Sequence, residues 1–418
     1  MADYWIEAAG LLLRWLHVVA AIAWIGESFY FVALDRGLKP AKHPSAGLSG
    51  ESWSVHGGGF YLKQKFLPAP PQLPDELHWS KWKSYTTWLS GFALFALLYL
   101  LSPQVYLIDP SVAAWSPVEG VLLALALPVI GGIVYDGLCR FIGPRDHVLG
   151  IFVALLTVAV CVVTTQLFAG RAAFLLAGAT LATIMSANVF FVIIPGQKRM
   201  VAALQTGATP NPLDGARGKQ RSVHNTYFTL PVVFAMLSTH YATAFAHPHS
   251  WAVLVLFMAA GALIRQFFVL WHSGGRAWWL LASATMILGG LFVWMAPAPR
   301  PSAVAIAPTA NVAAPMVDAS RSGEPAVVQP LGTDTASILG ISQRRCTACH
   351  SAQPSMMSSA PKGSIFERAD QLEAQAGLIH KQVVELKIMP PGNVTGLTES
   401  ERTAVDGWFR GLTGATNK

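Results

Sequence analysis

Eight apolar runs, each long enough to cross a lipid bilayer as a helix, constrain this chain more than any other feature. A hydrocarbon core of about 30 Å needs roughly 20 apolar residues per helical crossing. Runs of that length lie at 7–33, 86–107, 118–139, 148–168, 174–195, 223–246, 251–271 and 278–296. Only 12% of the 418 residues are charged, well below the share in a soluble domain. The sequence therefore predicts a multi-pass membrane protein with an all-α, eight-helix transmembrane bundle.

Basic residues are distributed unevenly between these runs. The first, third, fifth and seventh connections hold 15 lysines and arginines, whereas the other three hold only Arg171. Cytoplasmic connections carry the excess of basic residues, so we expect both termini on the periplasmic side of a bacterial cytoplasmic (inner) membrane. Lipid headgroups account for the net charge of +7, and no nucleic-acid partner is expected.

A proline-rich stretch separates two domains. Residues 297–330 contain seven prolines and no periodic apolar face, which predicts an extended periplasmic linker between a membrane domain, 1–296, and a C-terminal domain, 331–418. The C-terminal domain is polar enough to be soluble and small enough to need a cofactor in its core.

The C-terminal domain contains Cys346-Thr347-Ala348-Cys349-His350, the C-x-x-C-H signature of covalent haem c attachment. Cys346 and Cys349 are expected to bind the two vinyl groups of the haem, and His350 its iron. A zinc half-site or a redox dithiol is the alternative, but the second ligand pair that zinc needs is missing.

Met389, in a turn stiffened by the following prolines, is the expected second iron ligand. Met356 and Met357 are rivals, but they lie too near His350 along the chain to reach around the haem. The attachment motif, the Met-Pro turn and a following helix resemble a small class I cytochrome c. A capping box from Thr398 to Glu401 predicts where that helix begins. Three apolar side chains of the helix are expected in the core: Val405, Trp408 and Phe409.

Polar side chains within the apolar runs fall into two layers, and such groups are costly in a bilayer and usually functional. Seven lie toward the cytoplasmic side: Glu27, Asp136, Asn188, Arg265, His147, His224 and His272. Hydrogen bonding between helices is the alternative for any one of them, but together they predict a cavity open to the cytoplasm. Nearer the outer side, His17 and His240 are interpreted as ligands of a possible non-covalent haem b that relays electrons, with Arg14 at its propionates; satisfied buried imidazoles are the alternative.

The first connection, 34–85, is long enough to favour a functional role. It contains His56-Gly57-Gly58-Gly59-Phe60-Tyr61 and His78-Trp79-Ser80-Lys81-Trp82. Glycines permit a close approach of backbone to ligand, and tryptophans offer flat faces to a planar ring. A helix lying in the membrane interface is an equally good interpretation.

These two runs, together with Leu13-Arg14-Trp15-Leu16-His17, Ala23-Trp24-Ile25-Gly26-Glu27 and the C-x-x-C-H motif, resemble the bacterial membrane-bound urate oxidases over essentially the whole chain. The resemblance implies an eight-helix membrane domain fused to a cytochrome c. It also implies oxidation of urate to 5-hydroxyisourate, with electrons leaving through cytochrome c to a respiratory-chain acceptor instead of reducing O₂.

Urate is a planar anion, so its site needs an anion-binding group and suits aromatic side chains. Its oxidation also needs a base to accept protons and an acceptor for the electrons. Three residues are predicted to be catalytic: Glu27, Asp136 and Lys63. Seven are predicted to contact the substrate: His56, Gly58, Tyr61, Trp79, Lys81, Trp82 and Arg265. Two other functions stay open at this point. A cytochrome subunit that only relays electrons from quinol would be reduced by quinol and not by urate, and a transporter with an accessory haem domain would take up substrate.

Overall fold

The computed structural model describes residues 2–101, 103–108, 112–168, 170–245, 247–296, 332–355, 360–385, 389–390 and 395–413. The chain is mostly helical there and divides into two compact units, Met1–Trp294 and Met295–Lys418. The predicted linker, 297–330, lies outside the described residues, as do the rival ligands Met356 and Met357.

Helices at the predicted apolar runs form most of the first unit. They are α1 Ala2–Gly37, α2 Trp82–Phe95, α3 Pro103–Tyr106, α4 Pro117–Ile142, α5 Asp146–Leu167, α6 Gly170–Ala187, α7 Ile194–Gln205, α8 Pro212–Leu237, α9 Ala242–Phe245, α10 Ser250–His272 and α11 Trp278–Trp294. A π-helical segment, Ala96–Leu100, extends α2, and another, Asn188–Ile193, joins α6 to α7. A 3₁₀ helix, Ser238–His240, follows α8.

Five helical stretches in the described part of the chain are long and apolar enough to cross a membrane: Ala8–Gly37, Pro117–Ile142, Asp146–Leu167, Gly170–Gln205 and Ser250–His272. Helix α11 is apolar but shorter. Helices α8 and α2 are not among these five stretches. The first half of α8 is polar and includes Arg217 and Arg221, and α2 ends where the π-helical segment begins. Several long apolar helices are therefore present, whereas eight crossings remain a prediction.

The first unit exposes many large apolar side chains and also buries several polar ones within its largely apolar core. Ile133 and Val293 are 67% and 78% exposed, whereas Asn188 and Arg265 are each only 3% exposed. In a soluble helical protein, extended apolar patches on the surface are rare. The exposed apolar surface is what helices in contact with lipid require.

Helix α6 lies at the centre of the first unit, and small residues bring its neighbours close. A Cβ atom added to Gly131 of α4 would lie 2.6 Å from a methyl carbon of Thr180 on α6. On α6 itself, a Cβ atom at Gly178 would lie 2.7 Å from the Cβ of Ala235 on α8. Close backbone approach at small residues is typical of helix packing in membranes.

The connection between α1 and α2 contains a β-hairpin, which corrects the prediction of an all-α fold. Strands β1, Leu48–His56, and β2, Gly59–Phe66, pair in antiparallel register. Gly57 and Gly58 form the turn with φ angles of 58° and 80°. Positive φ at both central positions is the geometry of a tight hairpin turn that glycine adopts easily. The glycines of the first connection therefore close a hairpin, which neither interpretation of this segment included.

The second unit consists of short helices around one apolar core. Its helices are α12 Thr335–Arg345, α13 Ala369–Ala374, α14 Ala376–His380 and α15 Glu399–Thr413. The predicted capping box is confirmed, because Glu401 N–H donates to Thr398 Oγ1 at 3.2 Å and Thr398 N–H donates to the Glu401 carboxylate at 2.9 Å. Val405 and Trp408 are buried in the core, and Phe409 packs against it, as the sequence predicted.

Candidate functional site

A cavity of 1430 Å³ lies among α4, α5, α8 and α10 of the first unit. Its lining contains six basic and three acidic residues: Arg36, Arg140, Arg199, Arg217, Lys219 and Arg221, with Asp136, Asp146 and Asp214. The excess of basic groups gives the cavity a positive potential, which attracts anions. His147 and His224 also line it, so three of the seven residues predicted to form a polar layer on the cytoplasmic side do meet at one cavity.

Asp136 lies between two arginines at the cavity wall. Its Oδ1 accepts a hydrogen bond from Arg221 at 2.6 Å, and its Oδ2 pairs with Arg140 at 2.6 Å. The Arg221 side chain is only 6% exposed, whereas that of Arg140 is 76% exposed. The buried pair is therefore the structurally important one, because exposed ion pairs contribute little.

A chain of hydrogen bonds connects Arg221 to His224. Arg221 donates to Asn188 Oδ1 at 3.2 Å, and the Asn188 amide donates to the Tyr135 hydroxyl at 3.1 Å and to Asn225 Oδ1 at 2.8 Å. The Tyr135 hydroxyl is 2.8 Å from His224 Nδ1. This contact occupies one ring nitrogen of His224 and fixes the orientation of an imidazole that borders the cavity. Arg221, Tyr135 and Asn225 were not predicted as site residues from the sequence.

Arg265 lies on α10 and is almost completely buried. Its guanidinium carbon is 4.3 Å from the ring centre of Phe29 on α1. Its Nε and Nη2 atoms make no hydrogen bond to any described residue.

Two of the predicted catalytic residues lie apart from this cavity. Glu27 accepts hydrogen bonds from Ser80 and from Lys83, the latter at 2.7 Å, so it ties α1 to the start of α2. Lys63, on β2, donates to Ser54 at 2.5 Å. Of the predicted catalytic residues, only Asp136 lines the cavity.

The predicted substrate contacts of the first connection also lie outside the cavity lining. His56 and Gly58 are exposed at the turn of the hairpin, and Tyr61 is exposed on β2. Trp82, at the start of α2, is 67% exposed. Near it, Trp79 is half-buried, and the Lys81 Nζ is 5.8 Å from the Trp82 ring centre.

The structure places His17 and His240 in different surroundings. His17 Nδ1 donates to the backbone oxygen of Thr87 on α2 at 2.9 Å. His240 is exposed and lies in the 3₁₀ helix that follows α8. A haem b held by these two histidines therefore stays a prediction.

The C-x-x-C-H segment of the second unit forms a compact turn at the end of α12. Cys349 N–H donates to the Cys346 backbone oxygen at 3.0 Å, and His350 N–H donates to the same oxygen at 2.8 Å. Neither cysteine is in a disulfide. Burial raises the pKa of Cys346 to about 11, which keeps it a thiol at neutral pH. Among the described residues, no group of three or more His, Cys, Asp or Glu side chains could hold a metal ion, which disfavours the zinc alternative.

His350 is arranged as an iron ligand requires. Its Nδ1 donates to the Ser364 backbone oxygen at 2.9 Å, which leaves Nε2 available to a metal. Burial lowers the pKa of His350 and outweighs the opposite effect of this hydrogen bond, so the ring is neutral at pH 7. Met389 and Cys346 pack against the same apolar core. The Cys346 thiol and the Met389 thioether at this core, the His350 imidazole against Phe366 of the same core, and Cys349 three residues after Cys346 form a donor set that fits covalently bound haem c.

Long apolar helices around a positively lined cavity place the first unit among helical membrane-type proteins. Residues 3–296 match the Urate oxidase N-terminal family. Because this match covers most of the chain, the chain belongs to that family, which points to a urate-related oxidoreductase. No curated protein and no solved structure matches the chain.

Proposed function

We propose that this chain is a membrane-bound urate oxidase that converts urate to 5-hydroxyisourate and delivers the electrons to a covalently bound haem c. The observation that carries the proposal is the family match over 3–296 on a chain that also contains the C-x-x-C-H motif. From haem c the electrons pass to an acceptor of the respiratory chain.

The reaction balances without O₂ as a reactant. Oxidation of urate at C5 takes up the oxygen of one water and releases two protons and two electrons. Cys346 and Cys349 would attach haem c covalently, and His350 and Met389 would bind its iron; the haem would supply a one-electron acceptor that is used twice for each urate. The remaining work, binding the anion and accepting the protons, falls to side chains of the first unit.

The cavity among α4, α5, α8 and α10 is the proposed urate site. Its excess of basic groups favours an anion over a neutral molecule of the same shape. Asp136 and His224 are the proposed proton acceptors, since both line the cavity and both are held in fixed orientation by hydrogen bonds. A positioned acid or base of this kind contributes roughly 10²–10⁴-fold to a rate.

The proposed location is the bacterial cytoplasmic membrane, with eight crossings and both termini in the periplasm. Arg36, Arg145 and Lys198 mark three basic connections that the sequence places on one side. Each of these three connections contributes a residue to the lining of the same cavity: Arg36 itself, Asp146 next to Arg145, and Arg199 next to Lys198. This supports a common side for the three connections, and periplasmic haem attachment agrees with the proposed side of the C-terminus.

The experiment that tests the function is anaerobic addition of urate to the purified holoprotein while the haem c α-band is recorded. Reduction by urate is expected, and reduction under the same conditions by xanthine, which lacks the oxygen at C8, is not. Reduction by a quinol with no response to urate would contradict the proposal and favour the relay cytochrome.

A further inference from the structure

Arg265 presents an energetic problem that the fold alone leaves unsolved. The residue is 3% exposed, and its Nε and Nη2 atoms have no hydrogen-bond partner among the described residues. A buried ionic group without a partner is strongly unfavourable, and buried donors in native proteins almost always have partners. The Phe29 ring faces the guanidinium group, but an aromatic ring does not accept an N–H hydrogen bond of the usual strength.

Arg265 lies beside the proposed urate cavity. Ala262 and Val269, three residues before it and four after it on α10, both line the cavity, and residues at these spacings share a helix face. The next residue, Gln266, also lines the cavity and accepts a hydrogen bond from Tyr227. Arg265 itself is not a lining residue: its backbone flanks the part of α10 that borders the cavity, and its guanidinium lies against Phe29.

We propose that Arg265 is the residue that binds the anionic edge of the substrate, an inference that rests on the proposed urate oxidation. Nε and Nη2 lie on the same edge of the guanidinium plane and donate two parallel hydrogen bonds to a coplanar pair of acceptors. The urate anion offers such a pair, a deprotonated ring nitrogen beside a carbonyl oxygen. Substrate binding then supplies the acceptors that Arg265 lacks within the protein.

The buried arginine that lines the cavity, Arg221, is already paired. Arg221 donates to Asp136 and to Asn188, so a substrate at Arg221 would have to displace protein acceptors. Arg265 has no such competition among the described residues, so an acceptor that reaches its Nε and Nη2 atoms breaks no hydrogen bond. The ligand class that this geometry selects is a planar oxopurine anion.

The test uses the full-length holoprotein, reduced with dithionite so that bound urate is not consumed, and measures urate binding at equilibrium. Arg265→Met should raise the Kd for urate by at least about 30-fold. Arg265→Lys should also weaken binding, because a lysine keeps the positive charge but not the two parallel N–H donors of the guanidinium group. Arg276→Met is the matched control, since Arg276 is exposed and stacks on Trp271 with its guanidinium carbon 4.0 Å from the ring centre; its Kd should equal that of wild type.

A second measurement separates binding from a structural role. Removal of an unpaired buried charge should leave the melting temperature of urate-free Arg265→Met equal to or above that of wild type. Unchanged urate binding in Arg265→Met, or weaker binding together with a lower melting temperature, would overturn the inference. If wild type is reduced by urate while Arg265→Met binds normally, only this inference fails. If wild type is not reduced by urate, the proposed function fails.

Discussion

At the scale of single residues, the pairing of Asp136 with a buried and an exposed arginine defines the polar wall of the cavity. Asp136→Asn leaves the buried Arg221 with a weaker, uncharged acceptor, and because the Asp136 side chain is 34% exposed we expect a loss of about 1–3 kcal/mol, below the value for a fully buried ion pair. Arg140→Gln, the control, removes only the pair whose arginine is 76% exposed and should cost less than about 1 kcal/mol. Thermal unfolding in detergent, followed by circular dichroism, distinguishes the two. Equal melting temperatures for the two variants would contradict the importance of the buried pair.

A second residue-scale prediction concerns Glu401 in the capping box of α15. Burial alone would raise the pKa of Glu401, but hydrogen bonds from Thr398 and Arg345 outweigh it and lower the pKa. Since the folded pKa is below the unfolded value of about 4.3, the stabilisation is present above that value and is lost as pH falls through the folded pKa. Glu401→Gln should therefore melt below wild type at neutral pH, with the difference shrinking in acid.

Haem absorbance recorded during heating at several pH values measures this difference in the full chain. Glu399→Gln is the control, because the Glu399 side chain is 74% exposed and its removal should change the melting temperature little. A difference between Glu401→Gln and wild type that stays constant down to about pH 3 would contradict the assigned pKa direction.

Individual site residues could be predicted from sequence when their partners are close in the chain. Cys346, Cys349 and His350 form one contiguous motif, so the sequence alone indicates that they lie together, and the structure shows them in one turn. Arg221 was counted among the basic residues of the fifth connection, because its buried partner, Asp136, is 85 positions away. Nothing local in the sequence indicates such a pair.

At the scale of elements, the packing of α4 against α6 depends on which of two adjacent glycines faces the neighbour. Gly131→Leu should destabilise the first unit by about 1–3 kcal/mol, as overpacking does, because Thr180 is in contact distance of an added Cβ atom. Gly132→Leu is the matched control, since nothing lies within 4 Å of an added Cβ there. Melting in detergent should order the variants accordingly, and a Gly131→Leu protein as stable as Gly132→Leu would show that the helices pack differently.

The β-hairpin shows where pattern analysis of elements was incomplete. Strand β1 contains the alternation Ser52-Trp53-Ser54-Val55, and a two-glycine turn follows. Alternating side chains on either side of Gly57-Gly58 are a hairpin signal. The positions of the helices were predictable because a long apolar run has few alternatives. The first connection, in contrast, fitted a ligand-binding loop and an interfacial helix equally well, and its short alternation was not used.

At the scale of the whole molecule, the distribution of basic residues makes a prediction about topology. A reporter active only in the periplasm should be active when fused after residue 300 and inactive when fused near residue 205, because 15 basic residues lie in the odd-numbered connections. The reverse pattern would contradict both the orientation and periplasmic attachment of haem c.

The central claim is that urate gives its electrons to haem c and not to O₂, and the electron balance tests it most directly. Purified holoprotein in aerated buffer, with urate and an excess of an external one-electron acceptor, should reduce two equivalents of acceptor per urate consumed and form no hydrogen peroxide. The variant with Cys346→Ala and Cys349→Ala should consume no urate under these conditions, because the acceptor for its electrons is lost. Formation of one hydrogen peroxide per urate, with the external acceptor left oxidised, would contradict the account.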